Sequence, residues 1–280
     1  MREVDVSLIT DAVKRMSMEA NTRLGDDVIA TYAACAEREE SETGKSILEQ
    51  LQRNAAISGE TGLPLCQDTG VAVVFIELGQ EVHLTGGELK EAVNEGVRRG
   101  YREGYLRKSI VADPLRRKNT GDNTPAVLHV DVVPGDKVKI TIATKGGGSE
   151  NMSGIKMLKP ADGVEGVKDY VVERVREAGP NPCPPTIVGV GIGGTFEVAA
   201  ILSKKALLRP LGKRHADPFY AALEEELLEK INRLGIGPMG LGGSTTSFDV
   251  KVEVHPCHIA SLPVAVNIQC HSTRHLETEI

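Results

Sequence analysis

Apolar residues recur at three-and-four spacing from residue 5 to about residue 55, and this period predicts helices. VSLITDAVKRMSMEANTRL and DDVIATYAACAEREE each carry one apolar face. KSILEQLQRNAAISG continues the pattern, and Gly59 is expected to stop it. The texture then changes. TGLPLCQDTG is rich in turn residues, VAVVFIELG is a continuous apolar run of strand type, and GGELKEAVNEGVRRGYREGYL is an amphipathic helix. A long polar stretch opens with Arg107 and closes with Pro125. AVLHVDVVPGDKVKITIATKGGG predicts two strands around a Pro-Gly-Asp turn. ADGVEGVKDYVVERVREAG predicts a helix ended by Gly179 and Pro180. PTIVGVGIGG reads as strand and turn, TFEVAAILSKKALL and DPFYAALEEELLEKINRLG as helices, and SFDVKVEVH and LPVAVNIQC as strands. Helices and strands interleave without repeat, linker or low-complexity tract. The expectation is one α/β domain over residues 1–280, helical over 1–58 and mixed over 59–280.

Charge and composition narrow the function classes. The 39 acidic residues outnumber the 33 Lys and Arg, giving a net charge of −6. That balance argues against nucleic acid as a partner. With aromatics at 3% and no Trp, a base-stacking surface is not expected either. No apolar run approaches the roughly 20 residues of a membrane helix. The first residues, MREVDVSLITDAV, alternate charged and apolar positions and lack the apolar centre of a signal peptide. A cytoplasmic protein without membrane contact is therefore expected, with reduced thiols.

The chemistry-bearing residues sit in the loops. Of the five cysteines, Cys66, Cys183 and Cys270 lie in turn-like surroundings, two of them near proline. Cys35 sits on a helix beside Ala33 and Ala34 and reads as a small buried hydrophobe. There is no C-x-x-C, so neither a zinc ribbon nor a thioredoxin motif is supported. Three separated thiols are either plain loop cysteines or the ligands of an iron–sulfur cluster held at three corners, with an open iron for Lewis-acid chemistry. Lys145-Gly-Gly-Gly-Ser-Glu-Asn151 exposes backbone N–H groups suited to a small carboxylate. GVGIGGT, from Gly189 to Thr195, contains G-x-G-x-x-G and permits nucleotide binding, anion binding or simple strand–helix packing. In His255-Pro-Cys-His258, strand alternation would point Cys257 and His258 apart. Cys257 is then structural, and His258 is an acid, a base, a substrate contact or a satisfied surface histidine.

Taken together, GLPLCQDTG, KNTGDNTPA, KGGGSENMS, NPCPPTIVGVGIGGT and HIASLPVAVNIQCHSTRH resemble the α subunit, or N-terminal domain, of class I iron–sulfur fumarate hydratases. L(+)-tartrate dehydratase α subunits share the pattern. The resemblance spans roughly residues 10 to 276. It implies a [4Fe–4S] cluster on Cys66, Cys183 and Cys270, with the open iron acting as a Lewis acid. It also implies that Gln67, Asp68, Arg107, one of Gly146, Gly147 and Gly148, and His258 approach the substrate, with Asp68 and His258 as the proton-handling candidates. The implied activity is a hydro-lyase that interconverts fumarate and L-malate, as in the tricarboxylic acid cycle, with tartrate dehydration as the alternative. Single-chain relatives carry a second domain that this chain lacks, so a separate β subunit is implied, in a heterodimer that pairs further to α2β2. A nicotinamide-dependent oxidoreductase resting on GVGIGGT is the alternative from another class, and a cluster-bearing sensor without catalysis is a third.

Overall fold

The structure is a computed structural model that describes residues 1–280. Its elements follow in the order β1 (Arg2–Asp5), α1 (Val6–Thr22), α2 (Asp26–Arg38), α3 (Glu42–Thr61), β2 (Val71–Gly79), β3 (Val82–Thr85), α4 (Leu89–Glu103), β4 (Val127–Val133) and β5 (Val138–Lys145). Then come the single turn α5 (Gly147–Glu150), β6 (Gly154–Leu158), α6 (Gly163–Ala178), β7 (Thr186–Gly193), α7 (Phe196–Ala206), α8 (Pro218–Asn232), β8 (Ser247–His255), β9 (Leu262–Gln269) and β10 (His275–Glu279). The class is α/β with a helical N-terminal region.

The chain forms two compact units. The first comprises Met1–Leu24, Ala55–Gly147 and Arg274–Ile280; the second comprises Gly25–Asn54 and Gly148–Thr273.

In the first unit, a sheet of order β10-β5-β2-β4 is mixed: β2 runs parallel to β4 and antiparallel to β5. Strand β2 carries an unbroken apolar run from Val71 to Ile76, of which Ala72 to Ile76 are all buried. Helix α1 begins at Asp5, whose carboxylate caps the Ser7 N–H at 2.8 Å. It buries Ile9, Val13, Met16 and Ala20 at helical spacing. Helix α4 lies directly on it. A Cβ at Gly96 would sit 2.7 Å from Thr10 O and from Val13 Cβ, and one at Gly100 would sit 2.9 Å from Lys14 O, so glycine sets this close approach. The core gathers Ile9, Val13, Met16, Val74, Ile76, Val97, Ile140 and Ile142.

In the second unit, the sheet order is β6-β9-β7-β8, with β7 parallel to β8 and antiparallel to β9. Helix α7 packs on β7. A Cβ at Gly189 would meet Ser203 O at 2.1 Å, and one at Gly191 would meet Ala199 O at 2.1 Å. Gly189 and Gly191 of GVGIGGT thus serve strand–helix packing, the plainest of the readings open to the motif.

Two local expectations are corrected. Gly59 does not end its helix: α3 runs to Thr61, and the stop is Gly62, which adopts the left-handed φ of +71° and donates its N–H to Ser58 O at 2.9 Å. Cys257 and His258 are not on a strand, because β8 ends at His255. They lie in an exposed loop instead, so alternation does not decide where their side chains point.

Candidate functional site

The first unit brings Gln67, Asp68, Arg107, Gly146 and Gly147 together. The loop from Cys66 to Gly70 precedes β2 and is fixed from several sides. Tyr101, buried on α4, donates its hydroxyl to Thr69 O at 2.7 Å and Gly70 O at 2.9 Å. Burial pushes the Tyr101 hydroxyl up, so it stays a neutral donor. Asn123, fully buried, donates a hydrogen bond from its side-chain amide to Gly70 O at 3.1 Å. Thr69 Oγ1 donates to Arg107 O at 2.9 Å, which ties the start of the polar stretch to this loop. Gly70 has φ +75°, and a Cβ there would sit 2.7 Å from the Lys145 carbonyl. The loop can therefore press against the end of β5 only with glycine at that position.

The Asp68 carboxylate is the centre of this arrangement. Oδ1 accepts the Gly70 N–H at 3.0 Å and Oδ2 accepts the Gly147 N–H at 2.8 Å. A carboxylate has about four lone-pair sites, so each oxygen keeps a site for a further donor. Gly146 is buried beside it, where a Cβ would lie 3.2 Å from Asp68 Oδ2. The three glycines thus differ in role. Gly147 gives Asp68 its amide, Gly146 leaves space beside the carboxylate, and Gly148 belongs to the other unit, where a Cβ would lie 3.5 Å from Asn181 O. Arg107 is exposed, and its Nη1 donates to Gln67 Oε1 at 2.9 Å. An arginine and an amide side chain thus sit together at the surface, next to the aspartate.

Sequence reasoning did not single out Arg274. This guanidinium is 2% exposed, and its Nη1 donates to Asn21 Oδ1 at 2.8 Å and to the main-chain oxygen of Asp68 at 2.7 Å. The only signal was its place in the quoted HSTRH segment.

The second unit holds Cys183, Cys270 and His258. Cys183 has φ +56°, unusual for a residue with a Cβ, and its N–H closes a turn onto Pro180 O at 3.0 Å. His271 donates its N–H to Cys183 O at 3.3 Å, so the turns bearing Cys183 and Cys270 are neighbours. Cys270 Sγ and Ser272 Oγ are 3.1 Å apart. The Tyr32 hydroxyl lies 2.6 Å from His271 Nδ1 and donates to His271 O at 3.1 Å. Burial pushes this hydroxyl up, and its electrostatic interaction with Cys270 acts in the same direction. His258 is exposed and bonds within its own turn, accepting the Ala260 N–H on Nδ1 at 3.1 Å.

None of the five cysteines is in a disulfide. Cys66 is exposed and Cys183 and Cys270 are half-buried, whereas Cys35 is buried and its thiol is pushed up by burial. The donor chemistry of the first three fits a cluster of soft metal ions. Within neither unit, however, do three His, Cys, Asp or Glu side chains converge into a metal-holding group; Cys66 belongs to the first unit and the other two to the second. No helix is long and apolar enough to cross a membrane.

Comparison with known proteins adds to this geometry. The family model described as "Fumarate hydratase (Fumerase)" matches residues 10–279. The chain is 46% identical over 272 residues to a Methanocaldococcus jannaschii protein named "Putative L(+)-tartrate dehydratase subunit alpha", covering 95% of each chain. It is 37% identical over 273 residues to the L(+)-tartrate dehydratase subunit alpha of Escherichia coli strain UTI89, covering 96% of this chain and 89% of the relative. The K12 strain's protein of the same name is 36% identical over the same length. With nearly its whole length matched and the quoted motifs in order, the chain belongs to the fumarate hydratase (fumerase) family, as a hydro-lyase chain of the class I alpha type.

Proposed function

We propose that this chain is the α subunit of an iron–sulfur hydro-lyase that dehydrates L(+)-tartrate. The observation that carries the choice of substrate is that relatives matched over 95% and 96% of this chain are named "Putative L(+)-tartrate dehydratase subunit alpha" and "L(+)-tartrate dehydratase subunit alpha". Hydration of fumarate, the expectation from the sequence, becomes the second reading, and the description of the matching family model favours it. Both reactions remove or add water across the central carbons of a four-carbon dicarboxylate. They differ in one hydroxyl.

The residues of the first unit suit such a substrate. Arg107 can fork onto a carboxylate, with Gln67 beside it as an uncharged donor. Asp68, held by two amides, keeps lone pairs for a substrate hydroxyl or for a proton leaving carbon. His258 is the second proton-handling candidate. Cys66, Cys183 and Cys270 would hold a [4Fe–4S] cluster, which when bound supplies a Lewis-acid iron for the departing oxygen. A β subunit completes the enzyme, consistent with the "subunit alpha" in the relatives' names, and α–β pairs assemble to α2β2. The setting is the reducing cytoplasm, where exposed cluster thiols survive.

The test is co-expression with the β subunit, anaerobic purification, and assay with L(+)-tartrate, L-malate and fumarate. A kcat/KM for tartrate at least tenfold above that for malate is expected. The reverse order would make the enzyme a fumarate hydratase, and no turnover on any of the three would remove the dicarboxylate reading.

A further inference from the structure

Arg274 is among the largest of the fully buried side chains. Its guanidinium is always charged, and taking such a charge out of water is strongly unfavourable unless a partner compensates. A buried arginine therefore ordinarily meets a carboxylate. Arg274 does not. Its two hydrogen bonds both come from Nη1 and go to neutral acceptors, the Asn21 amide oxygen and the Asp68 carbonyl. Its Nε is buried without a partner. Its Nη2 faces the space that Gly146 leaves open, where a Cβ would lie 3.4 Å from Nη2 and 3.2 Å from Asp68 Oδ2. Stability alone gives a poor reason for a cation in this place. What the cation does is grip the peptide of Asp68 and tie it, through Asn21, to α1.

Asn21 is itself fixed. It is fully buried, donates its amide to Ser17 O at 2.9 Å, and its main-chain oxygen accepts the Leu65 N–H at 2.8 Å. One residue of α1 thus holds the loop at its start directly and at Asp68 through Arg274.

We propose that Arg274 is a positioning residue for Asp68. By holding the Asp68 carbonyl against α1, it fixes the direction in which the carboxylate leaves the backbone. The carboxylate then stays between the Gly70 and Gly147 amides with its remaining lone pairs turned to the substrate. The inference rests on the dicarboxylate reading above. It predicts that Arg274 acts through Asp68 and has no separate role.

The experiment uses the full α–β enzyme and compares Arg274→Met, Arg274→Lys, Asn21→Ala, Asp68→Asn and the double variant Arg274→Met/Asp68→Asn. Arg274→Met is expected to lower kcat about 30- to 100-fold, with KM within about threefold, as for a misplaced reacting group. Arg274→Lys, which can still reach one acceptor, should recover part of the loss. The double variant should be no slower than Asp68→Asn alone, because a residue that works through another has nothing left to position. Amide hydrogen exchange gives a readout independent of turnover: Gly70 and Gly147 should exchange faster in Arg274→Met, as they do in Asp68→Asn. If Arg274→Met does not fold, Arg274→Lys and Asn21→Ala carry the same comparison. Losses that multiply in the double variant, or unchanged protection of the Gly147 amide, would overturn the proposal. A wild-type enzyme inactive on every dicarboxylate would remove the functional reading alone, and amide exchange would still decide the role of Arg274.

Discussion

The Gly147 amide donates to Asp68 Oδ2 at 2.8 Å, joining the turn after β5 to the loop before β2. The two motifs, DTG and KGGG, are nearly eighty positions apart in sequence. The bond makes Asp68 an acceptor held at both oxygens, so small steric changes nearby should alter its chemistry before they alter the fold.

Gly146→Ala and Gly147→Ala should therefore behave differently. A methyl group at Gly146 would sit 3.2 Å from Asp68 Oδ2 and 3.4 Å from Arg274 Nη2, and one of them must give way. At Gly147 the nearest contact is an ordinary 3.8 Å, and the N–H is retained. Gly146→Ala should cost about 10- to 100-fold in kcat, the scale of a small misplacement. Gly147→Ala should stay near wild type. Steady-state kinetics beside a thermal melt checks this, and equal losses would show that the space at Gly146 is not used.

The cysteines give a second contrast. Cys66→Ser, Cys183→Ser and Cys270→Ser should each abolish cluster assembly, because serine replaces a soft thiolate with a hard alcohol. Cys35→Ser and Cys257→Ser should keep the visible absorbance of the cluster, since Cys35 is buried in α2 and Cys257 bonds Ser261 O in its own loop. Iron and sulfide analysis after anaerobic reconstitution decides the matter. A fully loaded Cys183→Ser would remove Cys183 from the ligand set.

Acid stability should depend on Glu39. It is buried at the end of α2 and accepts the N–H groups of Ser41, Ser244 and Thr245. Burial alone would raise its carboxyl, but these bonds outweigh burial and hold it at about 2, below the usual 4.5. A depressed carboxyl stabilises the fold above its unfolded value, and that contribution is lost as pH falls through the folded one. Wild type should thus lose up to about 3 kcal/mol between pH 4.5 and 2 from this group. Glu39→Gln should be less stable at pH 7 and should show a flatter acid limb. Urea melts at several pH values measure both slopes, and parallel limbs would contradict the assignment.

Much of the fold was legible in the sequence, and the exceptions have physical reasons. Long periodic segments such as α1, α4 and α8 and the apolar strands β2, β7 and β9 announce themselves, because one element carries its own pattern. Strands β1, β3, β6 and β10 are only four or five residues long, and β1, β3 and β10 are at least half polar. Their identity comes from remote partners: Arg2 pairs with Val82, and His275 with Ala143. The site divides in the same way. Gln67, Asp68 and the glycine loop stand out as motifs, whereas the different surroundings of Gly146, Gly147 and Gly148 depend on the fold around Asp68 and Asn181. Asn21 gave no local sign and Arg274 only its place in HSTRH, since an arginine in a polar tail and an asparagine in a helix both read as surface residues.

The relatives that this chain matches bear the names of α subunits. Gln67 and Arg107 face solvent with only each other as side-chain partners, and Cys66 is exposed. One guanidinium fork engages one carboxylate, so a dicarboxylate substrate leaves its second carboxylate to be held by groups elsewhere. The isolated chain should fold, because each unit has its own apolar core. After anaerobic reconstitution it should accept iron and sulfide yet turn over neither tartrate nor malate. Adding the β subunit should restore activity and slow the loss of iron in air, since a covered site excludes oxidant and water. Arg107→Lys in the complete enzyme should then lower kcat/KM about 100-fold or more, the scale of a lost charge-assisted fork. Assays of the chain alone and with its partner measure this directly. Turnover at about 10 s⁻¹, an ordinary enzyme rate, by this chain alone would show that its own residues complete the active site.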